Sequence, residues 1–123
     1  MHLIDITGAI ACHRHTNSLA VTASVDSLDF IHPIKMGDLI ILKSRVTCVF
    51  NTSLEVEVEV FSEAIRSAER KLTSRAFLTF VSLDDAGQPT RVPPLAIETV
   101  EDEQRCQDAQ ARRAERLRRR TGA

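Results

Sequence analysis

MHLIDITGAIACHRH, residues 1–15, is the stretch around which the rest of the chain is organised. Leu3, Ile4, Ile6, Thr7, Ile10 and Ala11 recur at helical spacing. His13, Arg14 and His15 fall in what would be the last turn, where cations complement the helix dipole. Gly8, Ala9 and Ala11 are small enough to let a backbone approach a sheet closely, so the stretch predicts a buried helix, apolar nearly all round. Asp5 is the odd residue. A carboxylate between Ile4 and Ile6 needs either a partner or a chemical task; the plainer reading is that it sits on a solvated edge or caps a turn.

Downstream of Thr16-Asn17-Ser18 the periodicity changes to that of strands. Leu19 to Phe30 alternates imperfectly, with Ala20, Thr22, Ser24 and Asp26 on one face and Val21, Ala23, Val25 and Ser27 on the other. His32-Pro33 ends that run, and Met36-Gly37-Asp38 supplies a turn. Leu39 to Phe50 is rich in β-branched residues. Asn51-Thr52 connects it to Leu54–Phe61, LEVEVEVF, where Leu54, Val56, Val58 and Val60 alternate with Glu55, Glu57 and Glu59 without an error. Three glutamates about 6.8 Å apart along a strand form a row rather than a metal or acid-base cluster. They are expected on a solvated face, paired with Lys43, Arg45 or Arg75. After a turn at Ser67–Glu69, Arg70 to Asp84 reads as a fourth strand carrying Phe77 and Phe80.

From Glu98 the composition shifts to ETVEDEQRCQDAQARRAERLRRR, acidic first and basic last, an order that suits a helix. Val100, Cys106, Ala109 and Leu117 give it few apolar positions, so it is expected as a surface helix fraying into a basic tip. The six arginines between Arg112 and Arg120 could meet nucleic acid or a phosphate, but a net charge of −1 disfavours nucleic acid as the main partner.

With 123 residues, the chain has room for one core. Hydrophobic residues at 43% and charged residues at 27% exclude disorder of its body. Cys12, Cys48 and Cys106 form no CxxC pair, so neither a disulfide framework nor a zinc site is expected. His2, His13, His15 and His32 lack the spacing of metal ligands. No apolar run reaches the roughly 18 residues of a membrane span, and no signal peptide is visible, which makes the cytoplasm the expected location. One apolar helix, four long strands and a polar helix imply an α+β layer in which the sheet curls round the helix. A sheet of this kind leaves an edge strand exposed, and a dimer pairing such edges would cover it.

The residues themselves carry a resemblance. Met1-His2-Leu3-Ile4-Asp5 followed by Gly8-Ala9, the strand Val21 to Phe30, Pro33 to Asp38, the loop Asn51-Thr52-Ser53 leading into Glu55–Val60, and Ala76–Leu83 with Val92-Pro93-Pro94-Leu95 together resemble the acyl-CoA thioesterases of the hotdog superfamily, of the cytosolic acyl-CoA hydrolase type. The resemblance implies a hotdog fold: a long central helix wrapped by a curved antiparallel sheet, over residues 1–95, with residues 96–123 as a polar C-terminal helix or tail. It assigns the catalytic carboxylate to Asp5, chemically apt because thioester hydrolysis needs a base for water and donors for an oxyanion. Active sites in that family lie at a dimer interface, which would bring Asp26 and Ser27 of one subunit near the helix of the other. The loop Asn51-Thr52-Ser53 resembles the segment that meets CoA; Lys35, Arg70 and Lys71 are phosphate partners by residue type alone.

The implied reaction hydrolyses acyl-CoA to fatty acid and CoA. CoA enters as part of the substrate, no further cofactor or metal is implied, and the expected assembly is a homodimer, or a hexamer built as a trimer of dimers. Members of the family also carry a first strand and a glycine-rich loop before this helix. The sequence read from Met1 lacks both, so the hotdog domain is expected to be N-terminally incomplete and its activity weak. That leaves a non-catalytic acyl-CoA or lipid-binding module as the competing reading, with a role led by the arginine-rich tail third. Acyl chain length is not set by the sequence.

Overall fold

A computed structural model describes residues 2–122 as α1 (His2–Thr16), β1 (Leu19–Phe30), β2 (Leu39–Val49), β3 (Ser53–Glu63), β4 (Arg70–Leu83) and α2 (Val100–Gly122). Met1 and the side chains of His2, Leu19 and Arg120, which the sequence reading includes, lie outside that description. The strands form one antiparallel sheet in the order β1-β4-β3-β2, and α1 packs against all four. This is the α+β layer that the strand and helix periods predict.

β3, whose alternation is unbroken, takes an inner position between β2 and β4. Leu54, Val56, Val58 and Val60 point toward α1 and join Ala76, Leu78 and Phe80 of β4 in the core. Burying each such aliphatic side chain contributes about 1.5–3 kcal/mol, which is why this strand pair fixes the register of the sheet. From α1, Ile4, Gly8 and Cys12 face the sheet as a stripe one turn apart. The approach at Gly8 is close: a Cβ there would lie 3.1 Å from the Phe80 ring. Asn17, at φ 54°, ends the helix by donating its N–H to His13 O at 2.7 Å.

Two expectations are corrected here. α1 is not buried all round, because Leu3, Ile6 and Ile10 on its far side are 62%, 43% and 48% exposed. Nor is α2 a helix lying free at the surface. Thr99 and Asp102 cap its start reciprocally, Asp102 N–H donating to Thr99 Oγ1 and Asp102 Oδ2 accepting from Glu98 N–H. The helix then crosses the outer face of the sheet, the side away from α1, and its arginines reach into that face. The segment leading to it is pinned by buried Val92 and by His15 Nε2, which donates to Pro93 O at 2.8 Å.

Candidate active site

Asp5 lies in the first turn of α1, where the unpaired N–H groups favour negative charge. It is half-buried, and its Oδ1 accepts a 2.6 Å hydrogen bond from Thr22 Oγ1 of β1. Asp5 therefore has a hydrogen-bond partner on the neighbouring strand. Strict alternation groups Thr22 with Ser24 and Asp26. The structure instead has two register shifts in β1, between Thr22 and Ser24 and between Val25 and Ser27. Thr22 pairs with Phe80, a residue of the helix side, whereas Ser24 pairs with Thr79 of the outer side. Each bulge inserts one residue and reverses the phase of the side chains beyond it. Thr22, which strict alternation does not single out, is thus aimed at the helix carboxylate.

The outer face holds a second polar system. Thr79 Oγ1 donates to Asp26 Oδ2 at 2.6 Å, Ser24 Oγ donates to Asp26 Oδ1, and Arg116 of α2 pairs with the same carboxylate at 3.3 Å. Next to it, Glu55 is 1% exposed and takes a bidentate pair from Arg112, Nε and Nη2 each at 2.8 Å, with Thr47 Oγ1 donating to Oε1 at 2.6 Å. The Arg112 guanidinium also stacks 3.7 Å from the Phe77 ring centroid. The expectation of a solvated glutamate row therefore fails at Glu55, because α2 covers that end of the strand. At the other end the pairing holds but the solvation does not: Glu57 and Glu59 meet Arg45 and Arg75 with their side chains only 12% and 13% exposed, while Lys43 lies over Phe61.

Within one chain, Asp26 lies across the sheet from Asp5. Ser27 pairs with Phe77 on the outer side, and with Asp26, Arg116 and Arg119 it lines a groove between β1 and α2. Asn51, Thr52 and Ser53 form the β2–β3 turn. Asn51 O accepts from Val92 N–H and Thr52 O from Ser82 N–H, so backbone bonds hold this turn. Arg70 pairs with Glu63 at 3.6 Å. Arg113 lies over Phe50, and Arg118 and Arg119 pair with Glu115. The described arginines of the tail are thus engaged with this chain's own acids and rings.

The cysteine expectation is also corrected. Cys48 and Cys106 are bonded as a disulfide joining β2 to α2. A bulge between Val46 and Cys48 sets Thr47 and Cys48 together opposite Glu55, under the helix. Cys12 is the free thiol, and burial pushes it up to about 11. Among the described residues, no group of three or more His, Cys, Asp or Glu is arranged to hold a metal ion.

Comparison with known proteins bears on the Asp5–Thr22 pair. The profile of the thioesterase superfamily matches residues 1–69. An uncharacterized acyl-CoA thioester hydrolase of Bacillus subtilis is 44% identical over 102 residues, which cover 83% of this chain and 59% of that protein. The cytosolic acyl coenzyme A thioester hydrolase of Rattus norvegicus is 36% identical over 114 residues, covering 91% of this chain and 30% of that one. The chain therefore spans less than two thirds of either relative. The solved acyl-CoA hydrolase of Staphylococcus aureus, in complex with butyryl coenzyme A, coenzyme A and coenzyme A disulfide, aligns with TM-score 0.88 at 35% identity over 98% of this chain and 73% of that one. An apo-hexameric acyl-CoA thioesterase aligns with TM-score 0.91 at 38% identity, over 98% of this chain and 77% of that chain. The S. aureus enzyme has further been solved with alanine in place of an aspartate and in place of a threonine seventeen positions later.

Proposed function

The chain belongs to the thioesterase superfamily and has its hotdog fold, and from that premise we propose that it hydrolyses acyl-CoA to free acid and CoA, with Asp5 as the base and Thr22 orienting it. The observation that carries the assignment is the 2.6 Å hydrogen bond between two residues seventeen positions apart, the same spacing as the aspartate and threonine replaced in the S. aureus enzyme.

The Thr22 hydroxyl occupies one lone pair of Oδ1 and leaves Oδ2 to accept a proton. A water placed against Oδ2 gives up that proton as its oxygen bonds to the thioester carbonyl carbon. The resulting oxyanion takes hydrogen bonds from donors, a role the N–H groups at the start of α1 would fill. When the tetrahedral intermediate collapses, the carbon–sulfur bond breaks and the CoA thiolate takes the proton back from Asp5. No metal or added cofactor enters the balance.

A second copy of the chain completes the site in this reading. Asp26, Ser27 and the turn Asn51-Thr52-Ser53, remote from their own Asp5, would hold substrate bound at the Asp5 of a partner. The test is thiol release from a panel of acyl-CoAs. Asp5→Asn is expected to lower kcat by about 10²–10⁴ with circular dichroism unchanged. An Asp5→Asn protein that turns over at the parent rate would refute the assignment, and CoA binding by calorimetry without any thiol release from the parent would make the chain a ligand-binding module.

A further inference from the structure

We propose that the Cys48–Cys106 disulfide is a thiol-exchangeable latch that fastens the N-terminal half of α2 onto the sheet. α2 is held in two different ways along its length. Its C-terminal half is clamped by Arg112 on Glu55 and Arg116 on Asp26. Its N-terminal half is tied to the sheet more weakly: Glu101, Glu103, Gln104, Gln107 and Asp108 are exposed, and Arg105, whose ion pair is with Asp102 of the same helix, adds only a longer-range attraction to Glu57 of β3. There the fastening is the bond to Cys48, beside buried Ala109.

The two sulfurs are not equivalent. Cys48 is 1% exposed, whereas Cys106 is half-buried and forms part of the wall of a cleft of about 320 Å³ with Phe50, Asn51, Pro94 and Ile97. A small thiolate entering that cleft attacks the Cys106 sulfur, and Cys48 leaves as thiolate and takes a proton. A second thiolate then attacks the sulfur of the bound thiol, releasing the Cys106 thiolate, which is protonated in turn. The chain gains two thiols while two small thiols become one small disulfide; the reverse sequence, driven by a small disulfide, closes the latch. Cys12 does not enter the exchange, because it is fully buried on the α1 side of the sheet and its thiol is too weakly acidic to supply thiolate at neutral pH. Opening leaves the arginine clamp intact, so the expected change is local release of the leading half of α2, not unfolding. This inference is independent of the proposed hydrolysis.

The full chain is equilibrated in reduced and oxidised glutathione at several ratios, quenched with acid, counted for thiols in denaturant, and digested briefly with trypsin. One thiol is expected in oxidised glutathione and three in reduced, with cleavage after Arg105 about tenfold faster in the reduced protein. Cys106→Ser should cleave at the fast rate in either buffer, and Cys12→Ser should keep the full response. Three thiols in oxidised glutathione would overturn the proposal, as would a bond that closes without slowing cleavage after Arg105.

Discussion

Thr22 owes its place to a backbone irregularity and contributes one hydrogen bond, so its removal can be separated from loss of the base. Thr22→Val keeps the shape and deletes the donor, which is worth about 1.5–3 kcal/mol when the acceptor is charged. kcat is expected to fall by roughly ten- to a hundredfold, and the double variant with Asp5→Asn should fall no further than Asp5→Asn alone. Additive losses in that cycle would mean that Thr22 acts elsewhere.

A second prediction at this scale concerns Glu57. Burial, reinforced by the neighbouring Glu59 carboxylate, holds the Glu57 carboxyl above its ordinary 4.5 despite Arg45 and Arg75 beside it. Its contribution to stability is therefore complete below the ordinary glutamate range and lost as pH rises through the raised native value. Glu57→Gln, which cannot ionise, should gain stability relative to the parent as pH is taken from acid to neutral, read from denaturant midpoints. A Glu57→Gln protein that loses stability relative to the parent as pH rises would contradict this.

At the scale of elements, what was legible in the sequence divides along the phase of the strands. β3 could be read outright, because LEVEVEVF alternates without interruption and both its neighbours are strands. β1 is legible in extent, but its faces are not, since the residue inserted at the first bulge reverses the phase after it. That is why Asp5 could be singled out from its apolar surroundings while Thr22 could not. It is also why Cys48 and Cys106 looked unrelated: a bulge in β2 and the docking of a polar helix bring them together, and neither has a local signal.

The docking of α2 is not legible in hydrophobic periodicity, because the helix is held by charge and a covalent bond with little apolar area. Its two fastenings can be weighed. Glu55→Ala leaves the Arg112 guanidinium under the sheet without its carboxylate and is expected to cost about 3 kcal/mol; Glu55→Met combined with Arg112→Leu should recover most of that loss. The disulfide closes a loop of 58 residues, for which chain entropy gives about 4 kcal/mol, so Cys106→Ser should lower the denaturation midpoint under oxidising conditions and leave it unchanged in reductant. A midpoint insensitive to reductant in the parent protein would remove the bond from the stability of the fold.

For the whole molecule, the unresolved balance lies in where apolar surface remains. α1 buries one stripe against the sheet and leaves Leu3, Ile6 and Ile10 open on the other side. Leu39 and Ile40 on edge strand β2, with Ile31, Ile34 and Met36 just before it, are exposed as well. Isolated exposed aliphatics are ordinary on a monomer, whereas this number on one helix, one connecting segment and the start of β2 marks a candidate contact face. A second copy is the occupant favoured here, because a symmetric contact covers the same patch on both chains and because Asp26 and Ser27 can then serve an Asp5 they do not reach in their own chain. Light scattering behind size exclusion should give a multiple of 13.7 kDa for the parent. Leu3→Lys with Ile10→Lys, which charges the open side of α1 and leaves Ile4, Gly8 and Cys12 on the sheet, should lower that mass while the far-ultraviolet spectrum is retained. If the site is completed across the contact, thiol release falls with the mass and becomes dependent on protein concentration. A parent that runs as a single 13.7 kDa chain at micromolar concentration and still turns over would place the whole catalytic apparatus within one subunit.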